Sequence, residues 1–276
     1  MHLHAGDLEA TFAPDAGMVC ASLRRGGEEL LGQRKGLEAY AETGATMGVP
    51  LLYPWANRVA ARRFEVMGRT VDLDKAPHRF RDDGETGLPI HGAKTAGGAW
   101  TVEEQTDGLL RASLDWGADA ELMAAFPFDH RVTMEVTADP GAVRWRVSVE
   151  GEVPVAFGFH PYLVAGEDTL LDVPVRERLV LDEHKLPTAE REPVEPITGR
   201  LGGRTFDDAY GAPTGPCRAG DLAVTFGEGF PYAQVFAPPS GDVVALEPMT
   251  APANALVTGE ALPTAPWSAA FAIAIA

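Results

Sequence analysis

His160 and Glu247 are the residues best placed to do chemistry, and each stands where an apolar strand runs into a proline. In Val155-Ala156-Phe157-Gly158-Phe159-His160-Pro161-Tyr162-Leu163, bulky residues alternate with small ones, the period-two pattern of a strand with one crowded face. Pro161 steers the residue before it away from the helical region, so the imidazole is held at a strand end. Taken singly, such a histidine is more often a half-buried one bonded to a neighbouring carbonyl. A second site changes the balance. Val243-Val244-Ala245-Leu246-Glu247-Pro248-Met249-Thr250 is another apolar strand that ends in a titratable residue before a proline. A carboxylate closing a buried strand is costly to desolvate unless it is paired or employed. An imidazole and a carboxylate of this kind suit proton transfer to and from a bound molecule, provided that they converge on one cleft.

Other segments offer groups that could hold such a molecule. Gly48 to Val59 carries prolines around an apolar core, which argues against a helix, and ends in Trp55, Asn57 and Arg58. Core packing accounts for Trp55 and a surface ion pair for Arg58. Alternatively, an aromatic face beside an amide and a guanidinium suits a ligand rich in hydroxyls. His91 lies between Pro89 and Gly92, where the glycine lets backbone or ligand approach closely. Asp207 and Asp208 precede Tyr210; adjacent acids are usually a solvated turn, yet one of them can brace an imidazole or hold hydroxyls. His130 reads as scaffold.

The elements that must position these groups are strands. Leu8 to Phe12, Met18 to Arg24 and Glu28 to Leu31 form an opening meander, and Phe64 to Leu73 turns near Gly68. Trp100 to Gln105 and Leu109 to Trp116 flank Thr106-Asp107-Gly108, a hairpin signal, as do Arg131 to Thr137 and Val143 to Val149 around Asp139-Pro140-Gly141. Leu170 to Val175, Leu179 to Leu181, Leu222 to Phe226, Ala233 to Ala237 and Ser268 to Ile275 continue the pattern. One short helical turn is expected between Asp119 and Phe126, and Glu183 to Gly203, rich in proline and charge, reads as a long surface excursion. Many short strands with regular turn signals predict an all-β protein, a large antiparallel β-sandwich formed by residues 1–276 as a single domain.

Composition narrows the partners. With 23 Lys and Arg against 40 Asp and Glu, the net charge of −17 repels phosphate backbones and anionic membrane surfaces, so no nucleic acid and no membrane partner is expected. No leader pattern or bilayer-length apolar run stands out, which reads as cytoplasmic. Cys20 and Cys217 are too few for a disulfide framework or a zinc site and read as reduced bystanders. No phosphate-binding glycine loop or dinucleotide fingerprint occurs, so neither a cofactor nor a metal is expected.

Phe159-His160-Pro161-Tyr162 and Leu246-Glu247-Pro248-Met249-Thr250-Ala251-Pro252-Ala253-Asn254-Ala255-Leu256 resemble the two signature regions of the aldose 1-epimerases, also called galactose mutarotases. The resemblance runs from about Gly48 to Leu256 and rests on short motifs in a fixed order. It implies the β-supersandwich fold and a small-molecule sugar, an aldohexose or a hexose phosphate, in a monomer or homodimer. It further implies that His160 protonates the ring oxygen and Glu247 takes the proton of the anomeric hydroxyl. His91 would polarise the substrate near the ring oxygen; Asn57, Arg58 and Asp207 would bind hydroxyls, and Gln234 would add a polar contact. Opposite charges close together would lower the carboxyl pKa, raise the imidazole one and give a bell-shaped pH profile. A hexose-6-phosphate epimerase is one alternative, with Arg58, Arg62, Arg63 and Lys94 as candidate phosphate ligands. A non-catalytic sugar-binding domain is another, although a binder needs neither an acid nor a base.

Overall fold

The computed structural model describes residues 1–275, and β-strands dominate it. A nine-stranded and an eight-stranded antiparallel sheet form the body, with a four-stranded sheet at the N-terminus and two separate hairpins. In the nine-stranded sheet, His130–Asp139 and Ala142–Gly151 pair along their whole length around the expected turn. Val132, Met134 and Val136 from the first strand and Val143, Trp145 and Val147 from the second point inward, as strand alternation requires. Trp145 stacks on Phe271 of the neighbouring strand Trp267–Ile275, with ring centroids 4.8 Å apart. Phe159, from the eight-stranded sheet, meets Phe271 at 4.7 Å, so the two sheets pack face to face. One continuous apolar cluster extends from Leu3 to Ile273.

The short helical turn expected after Asp119 is present as Ala120–Ala125, and the Asp119 carboxylate caps it by accepting from the backbone N–H groups of Glu121 and Leu122. Three local readings change. A helix, Gly36–Thr43, forms where none was expected; it is too short for periodicity to show, and it is docked through Tyr40 against Ala16, Val19 and Met47. Glu183 to Gly203 is not a loop throughout, because it contains the strands Pro187–Pro193 and Ile197–Arg200. Both end their sheets, where charged side chains and terminal prolines are tolerated because one edge faces water. Finally, Val155 to Leu163 is not one strand. Only Gly158–Phe159 and Tyr162–Val164 pair as strands, and His160 and Pro161 fall in the gap between them.

That gap organises the eight-stranded sheet. Its fully buried strand Val243–Met249 pairs Met249 with Gly158 and Ala245 with Tyr162, and both pairings belong to one register, in which position 160 lies opposite position 247. Pro161 has no N–H to give the ladder, and the His160 N–H donates instead to Pro50 O at 3.2 Å. On the other side of Val243–Met249, Gln234 stands opposite Glu247. His160, Glu247 and Gln234 therefore form a row across three neighbouring strands. Since Phe159 and Leu246 face the core, the row faces the opposite side of the sheet.

Candidate active site

A cleft of about 240 Å³ opens over this row. Asn57, Arg58, His91, His160, Asp207, Gln234 and Glu247, every site residue expected from the sequence, line it. His160 Nε2 lies 3.2 Å from Glu247 Oε1, and both side chains are nearly inaccessible to solvent. Tyr162 stacks on the imidazole with centroids 4.1 Å apart, and Phe236 meets it edge-on at 5.7 Å, which fixes the plane of the ring. Among the described residues, His160 Nδ1, Glu247 Oε2 and Gln234 Oε1 are buried without a hydrogen-bond partner. Buried polar atoms left in this state are costly in a core but useful in a binding site.

Burial sets the protonation of the pair. It pushes the Glu247 carboxyl well above the usual carboxylate range, helped by the nearby charge of Asp207 and opposed by Arg58. It lowers the His160 imidazole to about 3, with Arg81 and Arg34 acting in the same direction. Both shifts run opposite to the sequence expectation, which weighed mutual attraction but not desolvation. A neutral imidazole beside a carboxylic acid holds the same number of protons as an imidazolium beside a carboxylate. The two forms differ by one proton transfer along the 3.2 Å contact.

His91 is positioned from the backbone. Its N–H donates to Asn57 O at 2.9 Å, and the Asn57 N–H donates to His91 Nδ1 at 3.2 Å, which leaves the imidazole hydrogen on Nε2. Burial, reinforced by Arg81, His160 and Arg58, lowers this imidazole well below its usual value, so it is a neutral donor. Both Asn57 and His91 adopt positive φ, 58° and 63°, an uncommon conformation that clusters at functional sites. Gly92 makes the arrangement possible. A Cβ there would sit 2.1 Å from Tyr53 O, at a φ of +67°. Gly92→Ala is expected to destabilise the fold by about 1–3 kcal/mol or more through strain and overlap, seen as a lower midpoint in urea unfolding. A wild-type midpoint would show that the contact is slack.

Arg58 is buried, with Nε donating to Asp83 Oδ2 at 2.9 Å and its Nη2 3.6 Å from Asp207. Burial opposes the charge on Asp83, but hydrogen bonds from Arg58 and Thr86 outweigh it and hold that carboxyl at about 2. Asp207 accepts from Gln234 Nε2 at 2.8 Å and from Lys185 Nζ at 2.7 Å, so it is braced on both oxygens. Gln234 thus joins the Asp207 arm to the row of His160 and Glu247. Of the four cations considered as phosphate ligands, only Arg58 lines the cleft. Arg62 is paired with Asp74 and Asp82, Arg63 is paired with Asp72, and Lys94 lines a separate small cavity. The cleft instead contains Arg34 and Arg81, which sequence reasoning missed. Arg81 stands in Arg79-Phe80-Arg81-Asp82-Asp83, a run with no feature to separate it from an ordinary solvated face. His130 is scaffold: it is buried against Tyr53 Oη at 2.5 Å and Phe128 O at 2.7 Å. Cys20 and Cys217 are free and buried.

Known proteins share this fold. Solved structures similar over 100% of this chain include a putative aldose 1-epimerase from Escherichia coli, 18% identical, with 98% of its chain covered and a TM-score of 0.79. A Synechocystis protein is 20% identical, with 95% covered and a TM-score of 0.80. A galactose 1-epimerase from Lactobacillus acidophilus is 14% identical, with 93% covered and a TM-score of 0.76. At such identities the likeness establishes the galactose mutarotase-like sandwich fold. No curated protein matches the sequence. No helix among the described residues is long and apolar enough to cross a membrane. The family profile described as aldose 1-epimerase matches residues 3–204, most of the chain, and the chain therefore belongs to the aldose 1-epimerase family of isomerases.

Proposed function

We propose that this protein interconverts the α and β anomers of an aldohexose, with Glu247 and His160 as the proton-transfer pair. The observation that carries this reading is the 3.2 Å contact between the two, set in a cleft also lined by Asn57, Arg58, His91, Asp207 and Gln234. Anomer exchange removes a proton from the C1 hydroxyl and adds one to the ring oxygen. The ring opens, the C1–C2 bond rotates and the transfers reverse. In this reading Glu247 is the base and His160 the acid, and the pair reaches its charged form by moving one proton along its own contact, without exchange with solvent. Neutral His91 donates from Nε2 near the ring oxygen. Arg58, Asn57 and Asp207 hold the remaining hydroxyls, and Gln234 keeps Asp207 in place. The continuous apolar core from Leu3 to Ile273 supports reading residues 1–276 as one functional unit.

Polarimetry of freshly dissolved α-glucose and α-galactose tests the activity; equal decay with and without protein would sink it. The protonation argument has its own measurement. Because burial lowers His160 to about 3, its imidazole is expected to be neutral in the free protein at pH 7, as read from side-chain ¹⁵N shifts. Activity should persist below the pH at which an exposed histidine gains its proton, and should fall on the alkaline side when the pair loses its second proton, from the raised Glu247 carboxyl. An imidazolium at pH 7 in the free protein would contradict this.

A further inference from the structure

The charges around the cleft do not balance, and away from its exposed mouth the imbalance lies in one residue. Arg58 is matched by Asp83 and Asp207, and Arg34 by Asp242 at 3.6 Å. Lys185 is matched by Glu85 and Asp207. The guanidinium of half-buried Arg81 has no hydrogen bond and no ion pair among the described residues, and its neighbour Asp83 is already taken by Arg58 and Thr86. Burial works against its charge. A guanidinium does not deprotonate to escape this cost, so it calls for a counter-ion. In a chain of net charge −17, leaving a half-buried cation unmatched at the one cleft that gathers the site residues is a specific feature.

Its position indicates which part of a sugar it meets. Arg81 stands opposite Ile90 in the strand register, one residue from His91, and lines the cleft together with His91 and His160, so it lies on the imidazole side. If His160 serves the ring oxygen, only two ring carbons adjoin that atom. One is the anomeric carbon, which Glu247 serves, and the other is C5. We infer that Arg81 is an anion subsite for a carboxylate carried on C5, so that the preferred substrate of the cleft is a hexuronate. This rests on the mutarotase reading and narrows its substrate class. Carboxylate fits better than phosphate on charge and shape: one planar fork pairs with one planar monoanion, whereas a phosphate dianion needs a second fixed cation. Lys35, the other cation at the cleft without a partner among the described residues, is exposed at the mouth, where solvent screens it.

The test compares galacturonate, glucuronate, the two neutral hexoses and glucose 6-phosphate on the same preparation of the full chain. Mutarotation is followed by anomer-resolved NMR, and binding by calorimetry on Glu247→Gln. The ratio of kcat/KM for uronate over the matching hexose is expected to exceed 1 by roughly 10- to 100-fold, the worth of hydrogen bonds to a charged group, and to fall toward 1 in Arg81→Gln. Arg81→Lys should recover part of it. Because the ratio is taken within one preparation, partial misfolding of a variant does not affect it. A ratio near 1, or one that Arg81→Gln leaves unchanged, overturns the inference while the mutarotase reading stands. Preference for glucose 6-phosphate overturns the carboxylate assignment. If no sugar is mutarotated but uronate binds more tightly than hexose in an Arg81-dependent way, the catalytic reading fails and the subsite stands.

Discussion

Glu247→Gln is expected to lower kcat for mutarotation by about 10²- to 10⁴-fold while sugar binding persists, the range attributed to one positioned acid or base. The substitution keeps the shape of the side chain, and its amide can still face His160 Nε2 across the 3.2 Å contact. What disappears is a group able to take the anomeric proton. Burial sharpens the test: Glu247 stands between Gln234 and the His160 ring, and its carboxyl already favours the protonated form. Replacing it with a neutral amide therefore perturbs folding far less than inserting a new polar group would. Polarimetry measures the loss, and calorimetry on the same sample measures the binding that should remain. Full turnover in the variant would refute the base assignment. Loss of both turnover and binding would point to a structural role instead.

His160→Gln should produce a loss of the same order, and the double variant should be scarcely worse than either single one. The prediction follows from geometry. The two side chains share one proton across one contact, so removing either leaves the other without its exchange partner. Independent residues would multiply their effects, and a double variant slowed by the full product of the two losses would show that the pair does not act as a unit. Glutamine at position 160 also breaks the stack with Tyr162, so the folded fraction is checked by near-ultraviolet circular dichroism. Some loss of stability is expected in this variant and not in Glu247→Gln.

Much of this site was legible beforehand, because its chemistry sits at the ends of apolar strands. His160 before Pro161 and Glu247 before Pro248 are local signals, and the resemblance of their surroundings to the aldose 1-epimerases placed His91, Asn57, Arg58 and Asp207 beside them. Gln234, expected only as a further polar contact, is tied to the site by its register opposite Glu247 and its bond to Asp207. Arg34 and Arg81 were not legible at all. They reach the cleft from outside the motifs, and a charged residue in a polar stretch has no mark of its own. The strands Pro187–Pro193 and Ile197–Arg200 were missed for a related reason: an edge strand faces water, so its composition imitates a loop.

By itself the sequence determined the class of fold, the strand-and-turn rhythm, and the two residues proposed as the proton-transfer pair. Those features depend on side-chain alternation and on the conformational limits of proline and glycine, which act over a few neighbouring positions. Tertiary structure alone decided the register that sets position 160 against position 247, the burial that moves both groups away from charge, and the unmatched guanidinium of Arg81. Desolvation and pairing depend on which distant segments cover a group, and no local pattern encodes that.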